Sequence, residues 1–94
     1  MAGREAIQYL ADIAPGAVVG KHTHPGPEFG YVVEGTLVLE QAGQPPMTVN
    51  AGDSFHIPDG RVHWAKNVST TKPVKVLAMV IGQKGQPLAT PVKD

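Results

Sequence analysis

Glycine and proline interrupt this chain so often that an ordinary α-helix has almost nowhere to form. Eleven glycines and nine prolines are spread through 94 residues. The longest stretches free of both, residues 4–14 and 61–72, are each about one average helix long. Between the interruptions lie short runs rich in Val, Ile and Thr, whose β-branched side chains fit a pleated, half-buried surface. Apolar runs separated by turn residues every eight to twelve positions predict an all-β sandwich or barrel.

Strands are expected over residues 17–21, 29–34, 36–41, 47–50, 54–57, 62–67 and 74–81. Turns fall between them, including Ala51-Gly52-Asp53 and Pro58-Asp59-Gly60, where Pro fixes φ and Gly supplies a positive φ. The first segment fits two patterns. Ile7, Leu10, Ala11 and Ala14 mark a helical face, whereas Ile7, Tyr9, Ala11 and Ile13 mark a strand, and the strand is preferred. The tail from Gly82, broken by Pro87 and Pro91, reads as an extended arm. One domain over residues 1–94 is expected, because so short a chain buries a single thin core.

Eight basic and eight acidic side chains cancel and form no run longer than two. This excludes the basic stripe of a nucleic-acid binder and the polybasic patch of a membrane-surface protein. The longest apolar run, residues 76–81, is far short of the roughly 20 residues that span a bilayer. No apolar signal region follows Met1, so a cytoplasmic location is expected. Cysteine is absent, which excludes disulfides, iron–sulfur clusters and thiolate zinc sites. A metal in this chain must be held by nitrogen and oxygen.

Two of the four histidines are His22 and His24. On an extended backbone residues i and i+2 share a face, so both imidazoles reach one point. Glu28 follows the turn Pro25-Gly26-Pro27, and His63 lies far along the chain after Pro58-Asp59-Gly60. An isolated His-X-His pair is equally compatible with surface polarity. With a carboxylate and a third imidazole beside it, the set suits one first-row divalent metal.

The spacing around these residues carries a resemblance. Gly16, five residues, His22-Thr23-His24, three residues, Glu28, six residues and Gly35 form one pattern. Gly52, five residues, Pro58-Asp59-Gly60, two residues, His63, three residues and Asn67 form another. These are similar to the two signatures of the cupin superfamily, over 16–35 and 52–67. The chain thus resembles a minimal single-domain cupin. The resemblance implies a jelly-roll β-barrel of two antiparallel sheets with His22, His24, Glu28 and His63 as ligands of one divalent metal inside it. It also implies that Gly35 and Gly52 serve tight turns and that Asn67 is a structural hydrogen-bonder.

Alternation places Gly30 and Val32 inward with Glu28, and Phe29, Tyr31 and Val33 outward. Gly30 is expected to leave open volume beside the metal. From His63, Ala65 and Asn67 point inward, while Trp64 and Lys66 point away and Trp64 packs at a sheet or subunit contact. His56 lies on the face opposite Phe55 and Ile57. It is a candidate hydrogen-bond partner behind a metal ligand or an acid–base group, or else an exposed polar residue. Arg61 and Lys21 flank the candidate ligands and read as surface residues, with steering of an anion as the alternative.

Fe, Mn, Ni, Co and Zn all accept this ligand set, so the ion stays open. The favoured function is a metal-dependent oxygenase resembling the small quercetinase-like cupins and acting on a small enolic or aromatic compound. Glu28 then doubles as a catalytic base. A metal-dependent isomerase or cyclase belongs to the same group, and the alternative is a non-catalytic metal-dependent module that binds or senses a small ligand. The outward apolar row of Phe29, Tyr31 and Val33 predicts a homodimer. In that dimer, residues before Pro15 are expected to join the partner's sheet.

Overall fold

Extended structure fills the segments between the turns. The computed structural model describes residues 2–93. Its strands are β1 (Arg4–Ile13), β2 (Val18–Thr23), β3 (Glu28–Glu34), β4 (Thr36–Gln41), β5 (Met47–Asn50), β6 (Ser54–Ile57), β7 (His63–Lys66), β8 (Val74–Gln83) and β9 (Thr90–Pro91). Strands β4, β5 and β6 lie where the sequence places them, and β2, β3, β7 and β8 differ by one or two residues at their ends. Among the described residues no helix is long and apolar enough to cross a membrane.

The strands form two antiparallel sheets, β1-β8-β3-β6 and β5-β4-β7-β2-β9, which face each other in an all-β jelly roll. The core between them contains Val32, Leu37, Leu39, Val49, Ile57, Val74 and Val76. Period-two burial is clean along β3, where Glu28, Gly30 and Val32 are buried and Phe29, Tyr31 and Val33 are exposed.

The first segment takes the strand alternative. Tyr9 and Ala11 are partly buried against the core and Ile13 is buried, while Gln8, Leu10 and Asp12 are exposed. β1 pairs with β8 of its own chain along ten residues, from Arg4↔Gln83 to Ile13↔Val74. β1 is the edge strand of its sheet, with β8 on one side only.

Two expectations are corrected. The tail is more than an arm, because β9 pairs with the outer edge of β2 at His22↔Pro91 and Thr23↔Thr90. That edge would otherwise leave backbone donors and acceptors unpaired. Gly30 leaves no open volume, since the ring of Phe55 from neighbouring β6 occupies the place of its missing Cβ.

Gly35 makes the β3–β4 turn with a φ of 81°, and a Cβ there would run into the carbonyl oxygen of Pro73. Asn67, 2% exposed, donates to the carbonyls of Ile13 at 3.1 Å, Ala14 at 3.3 Å and Lys72 at 2.8 Å. Its Oδ1 accepts from the Ser69 amide at 3.0 Å, so one side chain ties the β1–β2 and β7–β8 connections together. Trp64 points outward, donates to Glu40 Oε2 at 2.7 Å and carries the Lys21 ammonium 4.8 Å above its ring.

Candidate metal centre

The site draws on both sheets. His22 and His63 are directly opposed partners on antiparallel β2 and β7, so their side chains share a face. The β2–β7 register shifts between Val19 and His22, an irregularity just ahead of His22. His24 follows the end of β2 and Glu28 begins β3 in the facing sheet. The Pro25-Gly26-Pro27 turn brings that carboxylate back against the imidazoles. Gly26 fits there because a Cβ would collide with the Ile81 carbonyl.

The three imidazoles have ring centroids 4.1 to 4.9 Å apart, and their ligand atoms lie within 4.8 Å of one another. Each Nδ1 faces a backbone carbonyl: Gly20 at 2.7 Å from His22, Leu88 at 2.8 Å from His24 and Arg61 at 3.0 Å from His63. A carbonyl only accepts, so each Nδ1 carries the hydrogen and a neutral ring keeps its lone pair on Nε2. Nε2 of His24 and His63 and Oε1 of Glu28 are buried without a hydrogen-bond partner. Yet Oε1 lies 2.9 Å from His24 Nε2 and 3.2 Å from His63 Nε2. Acceptors this close repel unless a proton or a metal cation lies among them. Three imidazole nitrogens and a carboxylate oxygen are donors that a divalent first-row metal accepts.

The electrostatics of the metal-free cluster follow the same geometry. Burial raises the Glu28 carboxyl, but the closeness of the His24 and His63 imidazoles outweighs it and holds it down at about 2. Burial lowers His24, while Glu28 and the Leu88 carbonyl more than compensate and leave it above the usual histidine value. His22 lies below that value because burial outweighs its bond to Gly20.

Beside the cluster a cavity of about 130 Å³ opens into the barrel. Glu28, His22, His63 and Tyr9 line its polar side, and Leu37, Leu39, Phe55, Ile57, Ala65 and Val76 are among its apolar walls. Tyr9 donates to Glu28 Oε2 at 3.4 Å, and burial together with that carboxylate pushes its hydroxyl far above the usual tyrosine value.

His22, His24, Glu28 and His63 are thus brought together, and His56 is not. His56 is exposed on the outer face of β6, its ring stacked 5.0 Å from that of Phe29. A short strand alternates faces strictly, and burying Phe55 and Ile57 turns His56 out. Tyr9 belongs to the strand pattern Ile7, Tyr9, Ala11 and Ile13, but the sequence carries no sign of a role for it or of its contact with Glu28. The Leu88 carbonyl had no signal, since a backbone group is independent of residue type.

Residues 9–80 match the family model described as "Cupin domain". Among proteins with curated functions, none matches the chain. Among solved structures, the fold resembles the DMSP lyase DddQ from Ruegeria pomeroyi, with a TM-score of 0.81 and 21% identity over 95% of this chain and 45% of that one. A cupin-like protein from Thermotoga maritima gives 0.80 and 24% over 95% and 65%. An oxalate oxidase in complex with the substrate analogue glycolate gives 0.77 and 28% over 93% and 46%. The chain spans less than two thirds of the length of each.

Proposed function

The chain belongs to the cupin domain family, and from that premise we propose that it is a metal-dependent enzyme of the oxygenase class acting on a small enolic or aromatic molecule. The observation that carries this reading is the convergence of buried His24 Nε2, His63 Nε2 and Glu28 Oε1, without other partners, beside an apolar cavity. His22, His24 and His63 together with Glu28 hold one divalent metal. Bound there, the metal supplies Lewis acidity and positions for oxygen ligands.

The chain's own residues do the rest. The cavity is close to the size that holds one benzene ring, roughly 150 Å³. Its apolar walls exclude water and favour the hydrocarbon part of a ligand, leaving the oxygen functions at the polar end. Glu28 is ionised at neutral pH and is the base that faces the cavity. Tyr9 holds the second carboxylate oxygen and limits its rotation. The oxalate oxidase structure with glycolate supports a small oxygen-bearing ligand.

A specific observation favours a second reading, a binding or sensing module. With His56 outside the barrel, Tyr9 and Glu28 are the acid–base groups besides the imidazoles among the described lining residues. The deciding experiment reconstitutes the protein with Fe, Mn, Ni, Co and Zn in turn. Oxygen uptake and loss of absorbance are then followed with single-ring catechols and enols. Turnover with any metal supports the oxygenase, and saturable binding without turnover supports the module. Neither binding nor turnover overturns both.

The reading includes a homodimer. Leu10, Phe29, Tyr31, Val33 and Leu77 are exposed large apolar residues on the outer face of the β1-β8-β3-β6 sheet. Leu77 pairs with both Leu10 and Tyr31, so the patch is continuous across three strands. A second copy of the chain is the simplest cover for such a face.

A further inference from the structure

We infer that the C-terminal tail, residues 84–93, is a strap that fixes the donor atom of His24, so that tail docking and metal binding are coupled. The inference rests on the metal reading above. His22 and His63 find their Nδ1 acceptors two residues back on the chain, at Gly20 and Arg61. Their tautomers are set as soon as the local chain forms. His24 lies beyond the end of β2 and takes its acceptor from Leu88, 64 residues away. Without the tail its ring loses the bond that keeps the hydrogen on Nδ1 and aims Nε2 at Glu28.

The tail is held lightly. β9 contributes two paired positions, and the Val92 amide donates to the Lys21 carbonyl at 3.0 Å. Leu88 and Val92 are half-buried, and the other tail residues from Lys84 to Lys93 are exposed. With so few hydrogen bonds and so little burial, tail opening belongs to the low end of local stability. Pro87 and Pro91 restrict the free tail and so reduce what docking must order. An outer partner that orients a metal-binding imidazole typically changes affinity about 10- to 100-fold. Linkage is reciprocal, so a bound metal must favour the docked tail by the same factor.

The test uses zinc alone as the probe. Three proteins are compared: the full chain, a chain ending at Gln83, and the full chain carrying Val92→Pro, which deletes the amide donor to Lys21. Zinc affinity is expected to fall about 10- to 100-fold on removing the tail. The imidazole ¹⁵N shifts of His24 should move while those of His22 and His63 stay, which a general loosening of the barrel would not produce. In the full chain, zinc should slow hydrogen exchange at the Val92 amide by a comparable factor. If the full chain takes up no zinc, the metal reading falls and the strap with it. If the full chain binds zinc and the shortened chain binds within twofold, the strap alone is overturned. Should the shortened chain fail to fold, the full-length proteins decide: no weakening in Val92→Pro and no slowing at Val92 overturn the inference.

Discussion

His22 and His63 face each other across the antiparallel β2–β7 pair with ring centroids 4.1 Å apart. The sheet's register therefore sets two imidazoles side by side without help from a loop. Glu28 meets them from the opposite sheet, so the cluster exists only when the barrel is closed. A cation bound there recognises the folded chain and stabilises it by mass action. The consequences are testable one at a time.

Acid should destabilise the chelated protein through Glu28. Its carboxyl titrates at about 2 when folded and at 4.5 as a free group. A lowered folded value adds stability above pH 4.5 that is lost as the pH falls towards 2, on the order of 3 kcal/mol for a shift this size. Denaturant melts of wild type and Glu28→Gln should show a stability gap that closes across that window. A gap independent of pH would contradict the assignment. Near neutrality the two shifted histidines act in opposite senses. His24, raised, loses its contribution as the pH rises, while His22, lowered, loses its contribution as the pH falls.

Gly30→Val should cost about 1–3 kcal/mol, because the added carbons must displace the Phe55 ring in a packed core. Denaturant unfolding measures it. Truncating the obstacle with Phe55→Ala in the same chain should make the glycine substitution less costly than it is alone. Equal costs in both backgrounds would mean that the ring is not what Gly30 accommodates.

Light scattering at micromolar concentration should give a mass twice the 9.9 kDa of the chain. Tyr31→Lys, in the middle of the exposed apolar face, should return it to the single-chain mass with zinc binding intact. A wild-type monomer would refute the dimer.

Much of this architecture was legible because glycine, proline and strand alternation act locally. The alternation of β3 follows from one inward residue, Glu28, and the bounds of β4 to β6 follow from their flanking turns. The converging histidines were legible from spacing, since His-X-His on extended chain fixes a shared face. What escaped depends on contacts between distant segments. Phe55 fills the space of Gly30 through cross-strand pairing, and β9 forms because β2 offers a free edge. Leu88 reaches His24 through its backbone, which no residue pattern encodes. His56 had two open readings until the burial of Phe55 and Ile57 decided its face.

Metal content measured against the ligand set tests the central claim most directly. After dialysis against zinc and removal of free ion, the wild-type protein should hold close to one zinc per chain at pH 7. It should hold progressively less as the pH falls and protons compete for the imidazoles. His63→Ala, which removes one of the converging nitrogens, should lower zinc affinity at least tenfold while His56→Ala leaves it unchanged. A wild-type chain without stoichiometric zinc, or His63→Ala with undiminished affinity, would contradict the account.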